Sequence, residues 1–226
     1  DQVAISVAYA KLNVKMAGSD PGICAELNGG THMSFEDVAI MRSIPGMVVF
    51  EPTDSVQLKK LFPQIIEHYG PVYIRLFRKN AWSIFGESDS FTLGNGCLLR
   101  QGSEVTLFAS GIMVKEALEA AEQLAGQGIS AEVINLHTIK PLDSELVLAS
   151  VTKTGCCVTA ENANIIGGLG SAVSECVSGG APCPVLRVGV EDRFGEVGKM
   201  DYLQKELHLT AANIVQKAKE AVALKR

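Results

Sequence analysis

The chain has little that would tie it to a membrane, a nucleic acid or an oxidising compartment. No apolar run reaches the roughly 18 residues that a membrane helix needs. Acidic residues outnumber basic ones, 25 against 20, for a formal charge of −5, so the electrostatic footprint of a nucleic-acid binder is missing. The six cysteines, Cys24, Cys97, Cys156, Cys157, Cys176 and Cys183, form no CxxC pair and have no zinc-ligand spacing. Reduced, buried thiols in a cytosolic protein are therefore the expectation. Also lacking are a Ser-His-Asp order, an EF-hand loop and either standard phosphate fingerprint, G-x-G-x-x-G or G-x-x-x-x-G-K-[ST].

What is there is an α/β pattern. With 226 residues, 47% hydrophobic and 20% charged, the chain can bury one large core or two modest ones. Asp1 to Lys11 reads as a helix already in mid-course, which predicts further chain before it. Leu12 to Ala17 is a candidate strand, and Ser34 to Ser43 a helix capped by Ser34 with Asp37 three residues on. Met47 to Phe50 is a buried strand, Pro52-Thr53-Asp54 opens a helix to about His68, and Val72 to Phe77 is β-rich. From Lys79 to Gly96 the pattern lapses into a linker with room for one edge strand. Strands then follow at Val105–Ala109, Ala131–Leu136, Gly155–Ala160 and Val185–Val190. Helices separate them: one after Gly111, ended by Gly126-Gln127-Gly128, then Asp143–Ser150 and Gly170–Val177. Two more, near Met200–Leu207 and Ala211–Leu224, close the chain. Strands joined by single helices imply mainly parallel sheets with right-handed crossovers. The expectation is two α/β modules, an incomplete one over residues 1–82 and a complete one over 97–226, joined by 83–96.

In such sheets ligands bind beyond the carboxyl ends of strands, which singles out three loops. Ser19 to Met33 is long and polar and bears Asp20, Glu26, Asn28 and His32. Its Asn28-Gly29-Gly30 sequence is also a common turn, and His32 could serve only the backbone near a helix start. Arg75 and Arg78 end the third strand on opposite faces, so at most one points at a given pocket; a planar guanidinium there suits a phosphate or sulfonate, or merely solvent. Glu161 to Ser171 contains Gly167-Gly168-Leu169-Gly170, which fits close helix–strand packing as well as a phosphate cradle. His68, His137 and His208 fall on or beside packed elements and read as structural.

Taken in order, several stretches resemble one family. They are Asp1-Gln2 with its Ala-Tyr-Ala helix, Leu12-Asn13-Val14-Lys15, Gly29-Gly30-Thr31-His32, Glu36-Asp37, Met41-Arg42-Ser43-Ile44-Pro45-Gly46-Met47 and Pro52-x-Asp54. Gly70-Pro71-Val72-Tyr73, Lys140-Pro141-Leu142-Asp143, Gly167-Gly168-Leu169-Gly170 and Asp192-Arg193-Phe194-Gly195 complete the set. Over essentially all 226 residues, the chain resembles the C-terminal half of a transketolase, specifically the smaller subunit of a two-gene transketolase.

The resemblance implies a pyrimidine-binding domain followed by a transketolase C-terminal domain. It also implies thiamine diphosphate, anchored by Mg2+ or Ca2+ held mainly by a partner subunit, and a reaction that moves a two-carbon ketol unit from a ketose to an aldose. By the resemblance His32 is the catalytic and substrate-orienting histidine, and Arg78 grips the sugar's distal anion. Asp20 stands where the family usually has a phosphate-contacting histidine, and Asn28 where it has an aspartate reading a sugar hydroxyl. A carboxylate at a phosphate site disfavours a dianion, so a ketose with another tail, such as a sulfonate, is the expectation. The glutamate that engages the aminopyrimidine ring is expected before Asp1, so no cofactor ligand and no metal ligand is assigned in this chain. A dimer of heterodimers with an N-terminal, pyrophosphate-binding subunit follows. The β-subunit of a 2-oxoacid dehydrogenase's decarboxylating component and a non-catalytic assembly subunit are the alternatives.

Overall fold

Two sheets organise the residues that the computed structural model describes, 1–79 and 82–225. The opening helix, Val3–Tyr9, is wound as a π-helix and buries none of its residues fully. β1 (Lys15–Ser19) follows, shifted towards the carboxyl end from the predicted Leu12–Ala17. A polar loop made of two short 3-10 turns, Gly22–Asn28 and Gly30–His32, leads into α1 (Asp37–Ser43). Next come β2 (Val48–Phe50), α2 (Ser55–Glu67) and β3 (Val72–Leu76). β1, β3 and β2 lie side by side in that order, all parallel.

The remainder runs β4 (Cys97–Arg100), β5 (Val105–Ala109), α3 (Met113–Ala125), β6 (Ala131–Asn135), β7 (Thr138–Lys140), α4 (Ser144–Thr154), β8 (Cys157–Asn164), α5 (Leu169–Gly180), β9 (Val185–Val190), α6 (Met200–Glu206) and α7 (Ala211–Ala223). Its sheet has the order β4-β6-β5-β8-β9, parallel except for the antiparallel edge strand β4. Every residue of β5 and β6 is buried, as expected of parallel strands covered by helices on both faces. β7 departs from this second sheet and pairs antiparallel with β2, so the C-terminal half supplies the last strand of the N-terminal sheet.

Most of the repeating pattern is where hydrophobic periodicity puts it, and four departures have physical reasons. Ser34 does not cap α1, which starts at Asp37 with no side-chain cap. The Asp37 carboxylate is committed to Arg75 and Tyr73 instead. The 79–96 stretch holds no strand among the described residues. It is tied down by the Asp54 carboxylate, which accepts the Ile84 and Phe85 N–H groups at 2.9 Å, and by an edge-to-face contact of Phe85 with Phe91. α4 runs on to Thr154, where Gly155 takes the left-handed conformation of a C-terminal cap. β8 continues through Glu161–Asn164, residues that look polar enough for a loop but are all buried; the pairing with β9 breaks after Ala160 and resumes at Asn164.

At the corner between the two sheets His137 is fully buried, and its Nε2 has no hydrogen-bond partner. It lies edge-on to Phe50 and Phe91, while its carbonyl accepts the Glu51 N–H at 2.8 Å. Burial pulls its imidazole down to about 4 from 6.5. The unfolded chain thus takes up a proton near pH 6.5 that the folded chain refuses until about pH 4, so this residue's contribution to stability is lost as pH falls through that window. In urea titrations at pH 7.5 and 4.5, His137→Phe should narrow the stability difference between the two pH values by about 2–3 kcal/mol; an unchanged difference would place the acid-sensitive group elsewhere.

Candidate functional site

Behind the site lies the buried Arg75 guanidinium. Arg75 is 1% exposed on β3. It binds the Asp37 carboxylate through Nε at 2.8 Å and Nη2 at 3.1 Å, and Glu51 through Nη1 at 2.6 Å. Nη2 also reaches the carbonyls of Ser34 and Asn162. Glu51 passes its other oxygen to the Ser110 hydroxyl at 2.7 Å, and Asp37 accepts the Tyr73 phenol at 2.6 Å. Gly111 (φ +52) packs so closely on Glu51 that a Cβ would lie 2.6 Å from its carboxyl carbon. One cation therefore joins β3, the residue that follows β2, α1, β8 and the far end of the His32 loop.

Above this hub, Gly30, Thr31, His32, Met33, Ser34 and Glu36 from the loop meet Phe194 and Gly195 from the segment after β9 around an open cleft of about 710 Å3. His32 is exposed, and its Nδ1 lies 2.9 Å from the Thr31 hydroxyl. A hydroxyl can donate to Nδ1 or accept from it, so either tautomer is served and Nε2 is left to donate to or accept from a ligand. Phe194 is 83% exposed, an aromatic face at the rim of the cleft. The walls touch through glycines: a Cβ on Gly30 would run into the Gly195 carbonyl, and one on Gly195 would meet the Met33 sulfur and lie 3.1 Å from the Phe35 ring.

The other sequence-predicted residues are not in this lining. Asp20 is buried and pairs with Arg78, accepting both its Nε and its backbone N–H. The Arg78 side chain is 65% exposed, so its outer nitrogens remain open to solvent. Arg75 and Arg78 do face different ways, one into the hub and one out. Asn28 is exposed and makes no side-chain hydrogen bond to described residues. Glu26 pairs with Lys79. Among the described residues no group of three or more His, Cys, Asp or Glu is gathered to hold a metal ion, and all six cysteines are free thiols.

The Gly167–Gly170 loop is closed by its own carboxylate. Glu161 accepts the Leu169 N–H at 2.7 Å and the Gly170 N–H at 2.8 Å, while Gly170 packs on Thr159 and Arg187. Helix–strand packing, rather than a phosphate cradle, uses these glycines. Burial raises Glu161 to about 7, against the lowering effect of those two N–H groups. Sequence reasoning gives no role to Glu51, Asn162 or Phe194. Phe194 leaves a local trace as an aromatic inside Asp192-Arg193-Phe194-Gly195, Asn162 lies in the candidate loop Glu161 to Ser171 without being marked itself, and Glu51 leaves none.

The glycine contact between the cleft walls is testable. Gly30→Ala should lower stability in urea unfolding by about 1–3 kcal/mol, as overpacking does. Gly179→Ala in α5, where an added methyl meets nothing within 4 Å, should instead gain up to about 1 kcal/mol.

With the geometry in place, comparison with known proteins is informative. The family model described as the pyrimidine binding domain of transketolase matches residues 1–82, and that of the transketolase C-terminal domain matches 94–214. The 6-deoxy-6-sulfo-D-fructose transketolase subunit SqwH of Clostridium sp. (strain MSTE9) is 64% identical over 225 residues, 100% of this chain and 70% of that protein. The putative transketolase C-terminal section of Methanocaldococcus jannaschii is 42% identical over 217 residues, 95% of this chain and 68% of that protein. A solved split gene transketolase, described as an inactive beta4 tetramer, superposes with a TM-score of 0.92 at 42% identity, covering 100% of this chain and 71% of the other.

Proposed function

This chain belongs to the transketolase family, and from that premise we propose that it is the smaller subunit of a split, thiamine-diphosphate-dependent transketolase. On this reading it transfers a two-carbon ketol unit from a ketose with a sulfonate tail to an aldose. The observation that carries the reading is the His32 cleft, which is open to solvent and walled by both modules. A cofactor held jointly with a second polypeptide needs such an exposed half-site. Residues 1–82 and 97–226 then act as pyrimidine-binding and C-terminal domains joined by 83–96.

The aromatic rim and the imidazole fit a flat heterocycle and a hydroxylated substrate, so this half of the site is compatible with the cofactor. No metal-ligand cluster is found among the described residues, so Mg2+ or Ca2+ and the pyrophosphate are assigned to the N-terminal partner subunit. Thiamine diphosphate, when bound, supplies a carbanion that adds to the donor carbonyl and an electron sink for the cleaved bond. His32 contributes orientation and proton handling. Its Nε2 can hydrogen-bond a substrate hydroxyl in either tautomer, with Thr31 accommodating the change at Nδ1.

Asp20 and Arg78 supply the choice of tail. A guanidinium already paired with a buried carboxylate keeps its outer N–H donors but loses much of its net positive charge. That suits a sulfonate of charge −1 better than a phosphate monoester, whose charge near neutrality is about −1.5 to −2. The SqwH relative, whose name specifies a sulfofructose, supports the same tail. A solved relative of one subunit type described as an inactive tetramer supports the need for a partner, and a cytoplasmic dimer of heterodimers is the assembly we assign. On the same reading, Asn28 is assigned to the sugar's hydroxyls.

The test is to assay the purified chain with and without its N-terminal partner, thiamine diphosphate and Mg2+, using 6-deoxy-6-sulfofructose and fructose 6-phosphate as donors. Ketol transfer is expected only from the complex, with the sulfonate preferred. Asp20→His should move the ratio of kcat/KM values at least tenfold towards the phosphate. An unchanged ratio ends the tail assignment, and thiamine-dependent release of CO2 from pyruvate ends the transketolase reading.

A further inference from the structure

The loop between β1 and α1 carries Asp20, Asn28 and His32 in a conformation that it does not hold by itself. Asp20 (φ 55) and Glu26 (φ 46, ψ −115) sit in backbone regions that L-residues rarely adopt, and such conformations persist only where the surrounding structure over-determines them. The imposing groups lie at the carboxyl end of β8, in the other half of the chain. Asn162 is 1% exposed. Its Nδ2 donates to the Pro21 carbonyl at 2.9 Å, and its Oδ1 accepts the Ile23 N–H at 3.0 Å. One side-chain amide thus reads a backbone acceptor and a backbone donor, as a neighbouring strand would. Gly22 between them must lack a side chain, because its Cβ would fall on the Asn162 amide.

The far end of the loop is fixed by the same strand. The Asn164 N–H donates to the Phe35 carbonyl at 2.9 Å, and Arg75 bridges the Asn162 and Ser34 carbonyls at 3.1 and 3.3 Å. Between the clamps, Ile23, Cys24, Ala25, Met33 and Phe35 pack into the core formed with Val158, Ala160, Val188 and Val190. Asn162 itself is not in the cleft lining.

We propose that Asn162 is a positioning residue for His32: its amide sets the entrance of the loop, and through the loop it presents the imidazole to the cleft without touching a ligand. The kinetic part of the claim rests on the transketolase reading, whereas the structural part does not. Two variants probe it. Asn162→Ala removes both hydrogen bonds. Asn162→Asp keeps the shape and the acceptor for Ile23 but sets a carboxylate oxygen against the Pro21 carbonyl, so it tests the same contact if the alanine variant fails to fold.

Amide hydrogen exchange on the full chain should quicken at least tenfold in residues 22–33 for either variant, with β5 and β9 unchanged. In the complex with the partner subunit, kcat/KM for the ketose should fall at least 30-fold. In a His32→Ala background the same substitution should cost less than threefold, because the two residues then act as one unit. Exchange in 22–33 that matches the parent chain overturns the proposal, as does a loss that is equally large with and without His32. If the unmodified complex transfers no ketol unit, the functional reading has failed, and the exchange measurement still decides whether Asn162 holds the loop.

Discussion

The Arg75 guanidinium is the interaction on which the arrangement depends. Its three nitrogens are spread over two carboxylates and two backbone carbonyls that belong to four different segments. A buried guanidinium is costly to desolvate, and such a group is tolerated where its partners are complete. Here they are: Asp37 and Glu51 share their remaining capacity with Tyr73 and Ser110. Lysine could not replace it, since an ammonium is a point charge without the planar fork that serves two carboxylates at once. The consequence is that the anchor behind the loop wall of the cleft is ionic and geometrically specific, while the walls themselves are packed through glycine and sulfur.

That anchor explains why a strained, polar loop can be a well-defined wall. The loop's inner residues are rooted in the core of the C-terminal sheet, its ends are held by β8, and its outer residues are free to face a ligand. Strain at Asp20 and Glu26 is then sustained by contacts made elsewhere. The buried Asp20 carboxylate is in turn answered by Arg78 from the end of β3. Conformation and charge are thus linked at one corner: the residue held in the left-handed region is also the one that tempers the anion-binding arginine.

Much of the fold is legible in the sequence because parallel α/β units advertise themselves. Mainly apolar strands such as Val48–Phe50 and Val105–Ala109 alternate with helices bounded by Asp54, Asp143, Gly155 and similar signals. What is hidden is non-local. β7 is only three residues long and β4 only four; the sequence pattern marks neither, and each exists because of its partner strand. The candidate loop is visible as a long polar, glycine-rich stretch ahead of a helix, and His32 within it. The Asp20–Arg78 pair spans 58 residues and the Asn162 clamp 139 to 141, separations at which one sequence holds no record of contact. Glu161 and Asn162 mislead for a related reason. They look like loop residues by type, yet they are buried in a strand because the backbone groups they satisfy come from α5 and from the other module.

β7 carries one more implication. Because three residues from the C-terminal half finish the N-terminal sheet, the two modules are not beads on a string. A break placed in the intervening segment would strip β2 of its neighbour and bare a hydrogen-bonding edge of apolar residues, the kind of surface that recruits unrelated strands. An engineer seeking to recombine the modules would have to move β7 together with the sheet it completes.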